Sequence, residues 1–299
     1  PNTALLYIEF DAEHFTNIPA VTVKCKARRW MVPSNYDPVQ RTYTGTWDGS
    51  MKSAWTNNPA WITYGVCTED RFGLGKRIKP FMVDKWELYR IAQYCDQLVP
   101  NGLGGTEPRF LCDMNLQGKA DAWSLLRDIS AIYRGMTYWA QGQLVMQADM
   151  PRAQDIDYVF TRSNVIDGKF SYGSASAKTR YTRALVSYDN PANNYDTDVI
   201  PFADLDLQRR YGDRPTELSA IGCTRASEAQ RRGKWAILSN NQDRTVSFKT
   251  GMEGVIPLPG HIIPVADSLL AGREVGGRIS KAAGRVITLD RDTQAKAGD

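Results

Sequence analysis

The sequence predicts a β-rich α+β chain, and three observations predict it. The first 70 residues carry β-branched and aromatic runs with partial alternation, as strands half-buried on a sheet require. Two stretches of helical periodicity follow, with an alternating run between them and a turn signal after them. Strand-like runs and turns then resume, joined by one further helical stretch. The divisions are a β-rich part over 1–72, an α+β part over 73–157, a second β-rich part over 158–272 and further β structure from 273 to 299.

Within the first part, residues 5–10 and 21–27 read as strands, and Asn17-Ile18-Pro19 breaks the ladder between them. Residues 33–38 form a loop and 46–50 a turn. In the second part Asp84 opens a helix, with Glu87 three residues on as in a capping box. Trp86, Tyr89, Ala92, Cys95 and Val99 recur at helical spacing, and Pro100-Asn101-Gly102 ends the helix. Residues 109–116 alternate like a strand. A second helix spans about 120–134, with Gly135 suited to the left-handed position after it. Gln141-Gly142 is a hairpin turn. In the third part 170–172 and 182–188 are strands, and 189–194 is a turn-rich loop. A helix runs from Thr224, its N-cap, to about Ser239, and 244–250 is a half-exposed strand. Pro259-Gly260 turns into the strand at 261–265, so helix, strand, turn and strand repeat the earlier order in outline.

Composition excludes several function classes. The net charge of +4 over 299 residues is small, and the Lys and Arg residues are scattered. A nucleic-acid binder would show a basic stripe. Five widely spaced cysteines without a Cys-x-x-Cys pair indicate neither a zinc site nor a disulfide framework, but buried free thiols from a reducing cytoplasm. The two histidines, His14 and His261, lie far apart. No run approaches the roughly 18 to 20 apolar residues that cross a bilayer, so no stable membrane insertion is expected. The N-terminus has no signal-peptide pattern and no initiator Met, and both ends look cut from a longer polypeptide.

No catalytic residue, cofactor site or metal site is assigned. Gly73-x-Gly75 followed by Lys76 lacks the rest of a phosphate loop, and Gly102, Gly104 and Gly105 follow a helix, not a strand. Asp11 with Glu13, Glu69 with Asp70, and Asp204 with Asp206 could serve a glycosidase only if held across a sugar. Their short spacing favours solvated carboxylates. Asp196-x-Asp198 lacks the loop of a calcium site. Residues 173–177 are a poor copy of a nucleophile elbow and read as a flexible connection. Trp47, Trp55, Trp61 and Tyr64 could stack on sugar rings, but packing or a subunit interface is the favoured reading. Trp61 in particular is expected to be buried. The basic face of the last helix, with Arg225, Arg231, Arg232 and Lys234, is expected to be solvated or to meet an acidic neighbour in an assembly.

One stretch is more specific than the rest: Asn57-Asn58-Pro59-Ala60-Trp61-Ile62-Thr63-Tyr64, running on to Arg71-Phe72-Gly73-Leu74-Gly75. With residues 88–100, Glu107-Pro108-Arg109-Phe110 and Ile132-Tyr133-Arg134-Gly135-Met136, it resembles the central tail-tip attachment (host-specificity) proteins of lambda-like siphophages. The resemblance covers roughly the central third of the chain and more loosely the rest. It implies two related hub-type, tail-tube-like β domains with helices, around a small α+β segment. It further implies a homotrimer that closes the distal end of the tail tube, next to other tail-tip proteins and the tape measure protein, with DNA passing through transiently. Host receptor contact would lie in regions outside residues 1–299. The implied place is the virion tail tip, assembled in the bacterial cytoplasm. The rival readings are a cell-wall glycosidase and a carbohydrate- or receptor-binding module.

Overall fold

The computed structural model describes residues 5–11, 13, 14, 17, 21, 23–116, 121–152, 158–176, 179–267, 279–284 and 286–289. It is a mixed α+β chain with five helices and several small sheets among those residues. The break at Asn17-Ile18-Pro19, the helix start at Ala120 and the boundary near residue 272 lie wholly or partly outside them.

The first core begins at β1 (Arg29–Pro33), which pairs antiparallel with β4 (Met51–Trp55). Between them β2 (Tyr36–Asp37) and β3 (Thr42–Tyr43) form a short hairpin. The expected strands at 5–10 and 21–27 are not formed by the described residues there; Leu5, Leu6 and Tyr7 are exposed. Alternation marks a face that could be buried, but a strand also needs a neighbour for its N–H and C=O groups.

Residues 59–68, expected among the strands, are instead the helix α1 (Pro59–Thr68). The Asn58 side chain accepts the Ala60 N–H at 3.0 Å, and Pro59 occupies the first turn, where its missing N–H costs nothing. Nine of its ten residues are buried, which removes the polar stripe that would have signalled a helix. The next helix, α2 (Lys85–Asp96), is capped by Asp84, whose carboxylate accepts the Trp86 and Glu87 N–H groups. It stops at Asp96, earlier than expected: residues 98–100 form β5 (Leu98–Pro100), paired with β6 (Thr106–Pro108).

The expected strand over 109–116 joins no ladder. Its N–H groups go one by one to other parts of the chain: Phe110 to the Cys95 carbonyl, Cys112 to Asn57 and Asp113 to Gly222. Phe110 and Cys112 are buried, so the alternation is real although the partners are irregular. Helix α3 (Ala122–Ile132) follows, capped by Asp121. Arg134, not Gly135, takes the left-handed position, at φ 60°. Gly135 already begins β7 (Gly135–Ala140), which pairs with β8 (Gln143–Ala148). Their turn has Gln141 at φ 51° and Gly142 at φ 77°, the two positive values of a tight hairpin. One core, including Val32, Trp61, Leu88, Phe110, Ile132 and Leu144, joins residues on both sides of position 72.

The second core is a three-stranded sheet. Its central β11 (Arg183–Asn190) lies between the antiparallel β12 (Asp196–Ala203) and the parallel β13 (Pro215–Ser219). Helix α4 (Leu205–Tyr211), capped by Asp204, links the outer strands. Helix α5 (Ala226–Asn241) packs on the sheet, with Ala184, Val186, Ala229 and Ile237 buried between them. Thr224 does not cap it; its hydroxyl donates to Asp113. The expected repeat of the earlier unit does not form. β14 (Thr245–Ser247) pairs with β10 (Ser171–Gly173), and β15 (Val265–Ala266) with β9 (Phe160–Thr161), so the two strands after α5 are not a hairpin. The closing hairpin is β16 (Ile279–Ala283) with β17 (Val286–Leu289).

Candidate functional site

The aromatic residues singled out by sequence divide. Trp61 is wholly buried on α1, and Trp47 and Tyr64 are nearly so. Trp47 stacks on Tyr89, with centroids 4.9 Å apart and planes at 11°, and meets Trp61 edge-on at 6.1 Å. Tyr64 meets Trp61 edge-on at 6.4 Å. Both indole N–H groups are satisfied, Trp47 by the Ser50 carbonyl and Trp61 by the Tyr43 hydroxyl. Trp55 stands apart at the end of β4, half-buried, with the Lys26 ammonium 4.9 Å from its ring centre. The stack therefore packs this chain's own core and offers no row of open ring faces.

Beside the stack lies a buried polar chain that sequence reading did not find. Asp96 accepts from Arg41 Nη1 at 2.8 Å, Tyr43 Oη at 2.9 Å and Asn58 Nδ2 at 2.8 Å. Burial, then the Asp96 charge, pushes the Tyr43 hydroxyl far above its ordinary range, which keeps it a neutral donor. Arg41 also donates to Asn57 Oδ1; Asn57 Nδ2 donates to Asp113 at 2.8 Å. The Asp113 carboxylate then takes the Thr224 hydroxyl at 3.3 Å. Polar contacts thus run from the first hairpin to the foot of α5.

There the charged seam begins. Glu228 on α5 is fully buried and accepts from Arg225, from Arg232 at 2.6 Å and from the Leu111 N–H at 3.3 Å. Glu107 on β6 takes Arg231 Nη1 and Ser227 Oγ, each at 2.6 Å, and Arg225 at 3.2 Å. Burial pushes the Glu107 carboxyl up, but the Ser227 and Arg231 hydrogen bonds and the Arg225 charge outweigh it and hold the group below its ordinary value. Arg225 Nη1 also donates to the Pro108 carbonyl and Arg231 Nη2 to that of Arg109. This corrects the expected solvated basic face. Three of its four cations turn inward to carboxylates of their own chain, and Lys234 alone is exposed. An i, i+4 Glu228–Arg232 pair was visible in the sequence, but its burial was not.

The chemical candidates come apart. Asp11 caps an exposed turn through the Glu13 N–H; Glu69 pairs with Arg28 at 3.5 Å; Asp204 caps α4 while Asp206 pairs with Arg209. The Gly73 and Gly75 N–H groups both donate to the Glu69 carbonyl, in a turn after α1. The Val199 N–H, with Asn190 and Tyr188, holds the Asp198 carboxyl below its ordinary value within the β11–β12 hairpin. His14 sits against Asp11, and His261 Nδ1 accepts the Leu258 N–H. Among the described residues no group of three or more His, Cys, Asp or Glu side chains could hold a metal ion.

A family model described as "Putative phage tail protein" matches residues 121–282, more than half of the chain. The chain belongs to this phage tail protein family. It is 48% identical, over 296 residues, to the "Tip attachment protein J" of Escherichia phage SECphi4, covering 98% of this chain and 26% of that protein. The protein of the same name from Escherichia phage SECphi27 is 45% identical over 303 residues, 100% of this chain and 25% of that one. The tail protein chain thus spans about a quarter of the length of these curated relatives. Among solved structures, the tail protein from Neisseria meningitidis MC58 is similar over 55% of this chain and 49% of its own, with a TM-score of 0.37 and 14% identity. The 43 kDa tail protein of prophage MuSo2 from Shewanella oneidensis is similar over 50% and 45%, with a TM-score of 0.31 and 18% identity.

Proposed function

We propose that this chain is a structural, non-enzymatic part of a phage tail-tip attachment protein. The observation that carries the reading is identity of 45–48% along essentially the whole chain to proteins named for tip attachment. The interior supports it. The carboxylates and arginines of the seam bind one another, and the aromatic stack is spent on packing. Such a body transmits position and force rather than turning over a substrate.

In this reading the chain is a hub segment that closes the distal end of the tail tube as a homotrimer. Its neighbours are other tail-tip and distal tail proteins and the tape measure protein, and DNA crosses the channel transiently. Receptor contact belongs to regions outside residues 1–299. The protein resides at the virion tail tip after assembly in the host cytoplasm. Two hub-type β domains around a small α+β segment remain the proposed division, with the core shared across position 72 making the first two parts fold together. Native mass spectrometry over a concentration series tests the assembly, with trimer as the expected mass. Electron microscopy of tails labelled with an antibody to the chain tests its place. A monomer at every concentration, or label along the tail shaft, would count against it.

A further inference from the structure

An open groove of about 630 Å³ lies beside the polar chain, bounded by α2, the start of the 109–116 run and the segment after β8. Its size is that of a ligand or peptide cleft. Its charges are unevenly matched. The groove's carboxylate, Asp96, is already filled by three donors, of which Arg41 neutralises it. Arg90 at the rim is half-exposed and leans on Glu87, which Arg152 also engages.

Arg109 differs from both. Its guanidinium lies 4.3 Å from the centre of the Tyr94 ring, and Nη2 donates to the neutral Gln97 Oε1 at 2.7 Å. No carboxylate among the described residues reaches it, Nη1 makes no hydrogen bond there, and Nε is buried without a partner. A buried donor without an acceptor is costly. A guanidinium held over an aromatic ring keeps a planar fork of donors for a carboxylate. Met150 and Pro151 supply apolar surface beside it.

We infer that this groove docks an acidic peptide segment of a partner protein, with a Glu or Asp carboxylate on Arg109 and a second near Arg90. Met and aromatic surface beside Arg is the composition of interface centres. A nucleic acid would need a continuous row of unspent cations, whereas Arg41 here is spent on Asp96. The inference stands on the groove alone and does not require the trimer.

Fluorescence anisotropy of a fluorescein-labelled hexaglutamate peptide against the full chain tests it. Saturable binding is expected, weakened at least tenfold by R109Q and severalfold by R90Q. Arg209→Gln, at an exposed pair on α4 away from the groove, should leave affinity unchanged. If R109Q melts early, R109K replaces it; it keeps the charge but loses the fork, and unaltered affinity there would overturn the inference. So would absence of saturable binding, equal loss in R209Q, or tighter Arg109-dependent binding of a thymidine hexanucleotide than of the peptide.

Discussion

Removing the Glu228 charge leaves Arg232 without its carboxylate and Arg225 with Glu107 alone, their side chains only 12% and 19% exposed. Breaking a buried charge cluster in this way costs about 3–5 kcal/mol. Glu228→Gln, which keeps the shape, should lower the urea midpoint accordingly without changing the slope. Replacing the whole cluster by apolar residues would be far milder, because desolvation offsets most of its attraction. Glu107 carries a pH prediction. Its carboxyl is held below the ordinary 4.5, so its contribution is present above that value and is lost as pH falls through the folded-state value. Burial raises Glu87, whose effect has the opposite sign and favours the folded state at lower pH. Stability followed from pH 6 to 3 should fall less steeply in Glu107→Gln than in the parent. An equal slope in the two would deny Glu107 this role.

At the scale of elements, α1 and β1 show how closely the first core is packed. A Cβ added to Gly65 would sit 2.1 Å from Trp30 Cε3, within a ring that cannot shorten. Gly65→Ala should cost about 1–3 kcal/mol through overpacking despite the better helix propensity of Ala. A thermal melt of G65A reads the loss directly, and an unchanged or raised midpoint would show that Trp30 swings away freely. The same helix shows where sequence reading stops. Helices α2 and α3 were legible because each keeps one polar face, and α2 also through its Asp84 cap. Helix α1 hid because it is buried almost all round, so its residues lack the polar stripe that marks a helix. Ladder partners were the other blind point: residues 109–116 alternate without a strand beside them, and Asp196-x-Asp198 reads only as an incomplete calcium site although residues 196–203 form the edge strand β12.

For the whole molecule, the seam ties two cores into one body, and the cysteines report on it. Burial pushes the Cys67 and Cys112 thiols to about 12 and Cys223 to about 11, with Cys95 well above its ordinary value. Cys25 is exposed. A thiol reagent at pH 8 should therefore label Cys25 quickly and the other four only on unfolding. Because Cys112 belongs to the first core and Cys223 to the second, labelling them at the same denaturant concentration would show that the seam makes unfolding cooperative. Release of Cys223 well before Cys112 would separate the cores.

Local physics was enough to set the α+β class, the capped helices α2 and α3, the Gln141-Gly142 turn and the burial of Trp61, since caps, turns and amphipathic faces are written within a few neighbouring residues. The words around residues 57–75 were enough to point to phage tail tips. Tertiary structure alone decided that Arg225, Arg231 and Arg232 face inward, and that Asp96 gathers Arg41, Tyr43 and Asn58. It alone left Arg109, at the groove, with no carboxylate partner among the described residues. Whether a charge is solvated, paired or left waiting depends on groups up to 124 residues away in the chain, which no local pattern records.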